Sequence, residues 1–360
     1  MKHWQETARV LDRVIGLGQE GRASALAVVT RIRGSAYRRP GAKLLVEDTG
    51  AALGGISGGC LEEDVRQQGL VVLRSGRARL VHYDTSDDET RVWGLGLGCD
   101  GEVDLVVLPI SPATALGPWT RVRELLDGDA PVVLATFAED GAGGGVLATC
   151  AGSSIDGLGE PAAAIEVEAA ARGALERGRS GLQNVSQRRV FTDVLMPPPK
   201  LLVCGAGEDA RPLVALAASV GFRVIVVDHR AAHLTTELLP EAQRLVLQRA
   251  DDPGTNLPSD AETYAVVKTH SLKHDTAWVR RLIRSGARYV GILGPRARTR
   301  RILEEVGAGG DGRVFGPVGL DLGADGAEQV AVSVVAELLA VRAQREPVHL
   351  REREVVHAGD

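Results

Sequence analysis

A chain of 360 residues exceeds what one hydrophobic core usually serves, so two or three domains are expected. Its composition, 44% hydrophobic and 25% charged, is that of an ordinary globule; a net charge of −5 without a basic block excludes a nucleic-acid grip, and no apolar run has the length of a membrane span. Cys60, Cys99, Cys150 and Cys204 show no C-x-x-C spacing, which excludes a zinc ribbon or a disulfide framework.

Trp4, Val10, Leu11, Val14 and Ile15 recur at helical spacing and predict an amphipathic helix that ends among residues 16–21. This segment lacks a signal-peptide core, so a cytoplasmic protein with reduced thiols is expected. Residues 24–32 read as a strand. The following loop, with Arg33, Arg38, Arg39 and Lys43 among Gly and Pro turn signals, reads either as a solvated turn or as an anion clamp, since guanidinium forks match phosphate geometry. A short strand at 44–46 leads to Gly54, Gly55, Ile56, Ser57, Gly58, Gly59 and Cys60. Glycines there permit sharp turns and close approach of a ligand. The acids Glu62, Glu63 and Asp64 suit the start of a helix over 61–75, which puts Cys60 at its mouth, where a thiol tends toward the metal-binding thiolate. The alternative is a tight turn holding a small buried cysteine.

Residues 78–83 predict a strand, and 84–91 a polar loop whose Asp87, Asp88 and Glu89 are expected to be solvated. A second glycine loop, 93–101, carries Gly98 and Cys99, and a strand follows at 102–110. Residues 111–117 read as linker. Strands at 131–138 and 145–149 flank a Gly-rich turn, a helix covers 162–177, and one more strand is expected at 190–194. Cys150 is expected to pack. Pro197, Pro198 and Pro199 form a stiff break and the preferred domain boundary. The expected divisions are 1–112, 113–198, 199–344 and a charged tail at 345–360.

The last domain has the grammar of a dinucleotide fold: a strand at 200–204, a G-x-G-x-x-A turn carrying Gly205 and Gly207, a helix at 211–220, and a strand at 222–227 ending on Asp228. Later strands, 264–268 and 289–293, end beside His270 and Gly294. Ligands of open parallel sheets sit beyond the carboxyl ends of the strands, so Gly205, Asp228, His270 and Gly294 should converge. Arg296 and Arg298 open the next helix and are placed to meet an anion. A last helix is expected over 328–341, after Asp321. His270 and His274, with Asp275 beside them, would share a helix face and hold a metal only if both were helical; the strand-end place of His270 favours polar or acid–base contacts instead, which leaves His270, with Cys60 and Cys99, a catalytic candidate. The fold class expected is α/β, an N-terminal α/β domain with Gly-Cys loops followed by a Rossmann-like parallel-sheet domain. On these residues alone an NAD(P)-dependent oxidoreductase is one reading, with Asp228 on the ribose and Arg230 near a 2′-phosphate.

The Gly-Gly-x-Ser-Gly-Gly-Cys-Leu-Glu run at 54–62, the Gly-Leu-Gly-Cys run at 96–99, the Gly-Ser-x-x-Arg-x-Pro-Gly run at 34–41, and the runs at 289–296 and 319–324 together resemble the XdhC/CoxI family, accessory proteins of molybdenum hydroxylases. The resemblance implies a chaperone rather than a stand-alone catalyst. It would bind the molybdenum cofactor, as molybdopterin or its dinucleotide, protect it during sulfuration, and deliver it to an apo-hydroxylase of the xanthine dehydrogenase or CO dehydrogenase type. Cys60 would then be the first metal or sulfur contact and Cys99 the second, with Arg38 in the anion clamp. A cysteine desulfurase is the implied sulfur donor, and a homodimer is the default assembly. No nucleic-acid or membrane partner is expected.

Overall fold

The computed structural model describes residues 2–34, 38–84, 101–252, 257–258 and 260–352. Two compact units divide the chain, one spanning Lys2–Pro197 and one from Pro198 onward.

In the first unit, strands β1 (Ser24–Gly34), β2 (Lys43–Glu47), β3 (Ala52–Gly54), β4 (Arg79–Asp84) and β5 (Gly101–Ile110) form an antiparallel sheet of order β3-β2-β1-β5-β4. The first seven residues of β1 are buried in succession, the pattern of a strand covered on both faces. Leu26 and Val28 pack toward the helix Lys2–Gln19, with its Trp4, Leu11 and Val14. Ala25, Ala27 and Val29 pack toward the helix Glu62–Ser75. That helix lies close on the sheet because Gly69 has no side chain: a Cβ there would stand 2.8 Å from Val46.

A second antiparallel sheet joins β6 (Val132–Phe137), β7 (Leu147–Cys150), β8 (Ser153–Asp156), β9 (Gly181–Val185) and β10 (Arg188–Leu195) in the order β8-β7-β6-β10-β9. The helix Pro161–Arg177 covers it through Val167, Ala171 and Ala174, and one apolar core runs from Leu108 and Ile110 into Val133 and Phe191. Residues 111–117, expected as linker, instead begin a helical run. Ser111 caps it by accepting from Thr114 N at 3.2 Å, and a π turn over Ala115–Trp119 leads into the helix Thr120–Leu125. Gly117 and Pro118 look like loop punctuation, yet the widened turn accommodates the proline, which lacks an N–H. Trp119, fully buried with its Nε1 donating to Gly144 O at 3.0 Å, anchors the run.

The second unit is a parallel sheet of β11 (Lys200–Cys204), β12 (Arg223–Asp228), β13 (Arg244–Leu247), β14 (Thr263–Val267), β15 (Tyr289–Ile292) and β16 (Val314–Phe315). Its order, β13-β12-β11-β14-β15-β16, is the doubly wound Rossmann order, as expected from the strand–turn–helix grammar. Helices Arg211–Ser219 and Gly326–Ala343 cover one face, and Leu272–Ile283 and Arg296–Val306 the other. The order reverses between β11 and β14, which creates a crevice at their carboxyl ends. Sequence reading assigned neither β13 nor the helix Leu272–Ile283. As an edge strand, β13 is only half-buried and carries no apolar alternation.

Candidate functional site

The glycine loop of the first unit is closed by one side chain. Gly54 takes a φ of +105°, and a Cβ there would lie 2.3 Å from Lys43 O, so only glycine lets the loop leave β3 at this point. Glu62, the first helical residue, reaches back over it. Its Oε1 accepts from Ser57 N at 2.9 Å and Ile56 N at 3.2 Å, and its Oε2 accepts the Ser57 hydroxyl. Ser57 Oγ in turn accepts from Gly59 N at 3.2 Å and Leu61 N at 3.1 Å. Burial alone would raise the Glu62 carboxyl, but the Ser57 hydroxyl and the loop N–H groups hold it below the usual range. Gly58 and Gly59 are left exposed at the tip, and Cys60 is half-buried against the core beneath the sheet. Glu62 was read only as a helix-start acid; the Ser-x-x-x-x-Glu spacing across the glycines was the available signal.

Arg38 donates to Glu6 on the N-terminal helix through both terminal guanidinium nitrogens, and Arg33 pairs with Glu102. Lys43 lies inside β2, buried, donating to Asp193 Oδ2 at 2.5 Å and Gly41 O at 2.9 Å. Arg33, Arg38 and Lys43 are therefore spread among separate carboxylates, and an anion would have to compete with Glu6 for Arg38. Gly98 and Cys99 lie outside the described residues, as do Asp87, Asp88 and Glu89. Among the described residues, no group of three or more His, Cys, Asp or Glu is placed to hold a metal ion.

The second unit brings most of its expected residues to one edge. Gly205, with a φ of +119°, passes so near β14 that a Cβ would meet Lys268 O at 2.6 Å. Asp228, ending β12, accepts from Ala206 N at 2.7 Å, Arg230 N at 2.9 Å, and the Arg230 guanidinium at 3.0 and 2.8 Å. Burial pushes this carboxyl up, but Arg230 and the backbone N–H groups hold it well below the ordinary range. The turn departs from a phosphate cradle at Asp209. A Cβ on Gly207 would meet Asp209 Oδ1 at 2.6 Å, so a carboxylate stands where a pyrophosphate would approach. Asp209 pairs with Lys268 Nζ at 2.7 Å and with His270 Nε2 at 2.9 Å. With the Asp209 carboxylate where a pyrophosphate would approach, the NAD(P) reading finds no support.

His270 has a left-handed φ of +59° and lies ahead of the helix Leu272–Ile283, while His274 lies within it, its ring edge-on to His229 at 4.5 Å. The two therefore share no helix face. Buried Asp275 joins the remaining strand ends, accepting from Thr269 N at 2.9 Å and from Arg298 at 2.6 Å. Gly294, at φ +129°, gives room to the Arg298 side chain, 2.8 Å from where its Cβ would be. Arg296 is exposed at the first turn of its helix, and Asp321 is exposed in the loop before Gly326–Ala343. Cys204, fully buried at the end of β11, has its thiol pushed up by burial and is no nucleophile. The sequence reading does not single out Asp209 or Lys268, and it names Asp275 only as a neighbour of the His270–His274 pair. An acid inside a phosphate-type turn was the one legible sign.

Residues 201–338 match the XdhC Rossmann domain, and residues 17–84 match the XdhC and CoxI family. The molybdenum cofactor insertion chaperone PaoD of Escherichia coli (strain K12) is 23% identical over 332 residues, 91% of this chain and 86% of that protein. A crystal structure described as a xanthine dehydrogenase from Bacillus halodurans is similar with a TM-score of 0.77 and 26% identity, covering 94% of this chain and 96% of that one. Similarity also runs along a probable xanthine dehydrogenase subunit of Bacillus subtilis (strain 168), 31% identical over 89% of this chain and 93% of that protein. With the glycine–cysteine loop in one matched region, the doubly wound sheet in the other, and a relative alike along nearly its whole length, the chain belongs to the XdhC and CoxI family.

Proposed function

We propose that this protein serves maturation of the molybdenum cofactor: it holds the cofactor as cargo, shelters it while the metal gains its terminal sulfur, and hands it to a molybdenum hydroxylase apoenzyme. The observation that carries the reading is the likeness to a protein named as a molybdenum cofactor insertion chaperone, which extends over 91% of this chain. Cys60 supports it chemically. A soft sulfur donor suits such a metal, and here it follows exposed glycines on a loop that Glu62 holds in one shape. Cys99 would be the second sulfur contact, and a cysteine desulfurase the sulfur source, in the cytoplasm. Arg296, exposed at the first turn of its helix, would meet phosphate of the cargo.

The test is cofactor retention. Protein purified from its native host should carry molybdopterin, detectable by fluorescence of the oxidised pterin. Cys60→Ala should lower the retained pterin at least several-fold without lowering the melting temperature. Absence of pterin from the wild-type protein sinks the reading, and unchanged occupancy in the variant sinks the role of Cys60.

A further inference from the structure

At the crevice of the second unit, a cavity of about 250 Å³ opens between the sheet and the helix Gly326–Ala343. Its walls include Leu213, Val266, Leu293, Ala331 and Val334, and its polar lining includes Lys268 and Asp209. Lys268 is only 3% exposed, and among the described residues Nζ makes no hydrogen bond of good geometry, only a 2.7 Å ion contact with Asp209. Buried ammonium donors without well-aligned acceptors are costly, and a ligand oxygen would relieve that. Burial lowers the proton affinity of this amine, against the opposing pull of Asp209.

We infer that this cavity binds the lactam edge of a flat heterocycle, Lys268 donating to the ring carbonyl oxygen and Asp209 accepting from the neighbouring ring N–H. Charge decides among ligand classes. A carboxylate or phosphate would face Asp209, a cationic amine would face Lys268, and a neutral edge with one acceptor beside one donor satisfies both. The apolar walls suit a ring's faces. The volume lies just below the usual range of ligand pockets, enough for a ring system and not for a whole dinucleotide. Pterins and 6-oxopurines share this edge. The inference rests on the second unit alone, so its test passes through neither Cys60 nor retained cofactor.

Full-length protein should be titrated calorimetrically with pterin, hypoxanthine, their lactam-N-methylated derivatives, and benzoate. At least one of the two parent rings should bind, and its N-methylated form at least tenfold more weakly, because blocking the N–H leaves the Asp209 carboxylate unmatched. Binding of only pterin or only hypoxanthine identifies the source of the edge. Ala331→Leu, which fills the cavity without touching the polar pair, should abolish binding, and Lys268→Met should weaken it at least tenfold. Equal affinity for parent and methylated rings, benzoate binding tightest, or no ring binding the wild-type protein overturns the inference. Should a variant fail to fold, the comparison of parent and methylated rings on the wild-type protein still decides.

Discussion

Asp193 is nearly fully buried in β10 and is shared by Lys43, at 2.5 Å, and His3, at 3.1 Å. Burial alone would raise its carboxyl; the Lys43 ammonium and the bond to His3 outweigh that and hold it well below the ordinary range. Its folded affinity for protons is therefore lower than its unfolded one. The stability it contributes is fully present above the unfolded value near 4, and is lost as pH falls through that value toward the folded one. Asp193→Asn leaves the Lys43 ammonium buried without its counter-ion and should cost about 3–5 kcal/mol. Urea midpoints measured from pH 7 to pH 3 should show that gap at neutral pH and see it narrow on acidification. A constant gap would mean that the charge is not what stabilises.

At the scale of elements, the glycine turns decide how closely strands and helices approach. Gly205 combines a positive φ with backbone 2.6 Å from any added Cβ, and that backbone, Lys268 just past β14, is no flexible side chain. Gly205→Ala should cost about 2 kcal/mol or more, since the left-handed conformation alone costs about 1–2 kcal/mol. The substitution should also separate β11 from β14 at their carboxyl ends and so disturb Asp209 against Lys268. Thermal melts and ring binding measured together check this: a variant as stable as the wild type would contradict the close approach. The Cys60 loop follows a different logic. There the bonds from Glu62 to Ile56 and Ser57 hold the shape, so the loop depends on a side chain as much as on its glycines.

At the scale of the molecule, the apolar clusters of Lys2–Pro197 and of the chain from Pro198 onward draw on separate sets of residues. Each unit falls within the ordinary size of a domain with its own core. Residues 198–352, expressed alone, should unfold cooperatively in urea with a native-like far-ultraviolet spectrum. A fragment without a cooperative transition would show that the Rossmann sheet needs the first unit.

The sequence by itself determined what local chemistry settles. Positive-φ turns, cysteines set between glycines, and the strand–turn–helix–strand grammar from β11 to β12 are all legible within about thirty residues. Helices with one apolar stripe announce themselves by period, and strands covered on both faces by short unbroken apolar runs between turn residues. The run after Ser111 did not, because Gly117 and Pro118 mimic a loop and only the burial of Trp119 shows otherwise. What the tertiary structure alone decided is the pairing of charges: Lys43 with Asp193 across 150 positions, and Asp209 with His270 across 61. A charged side chain carries no period and no spacing rule, so its partner is fixed only when the fold brings the segments that bear them together.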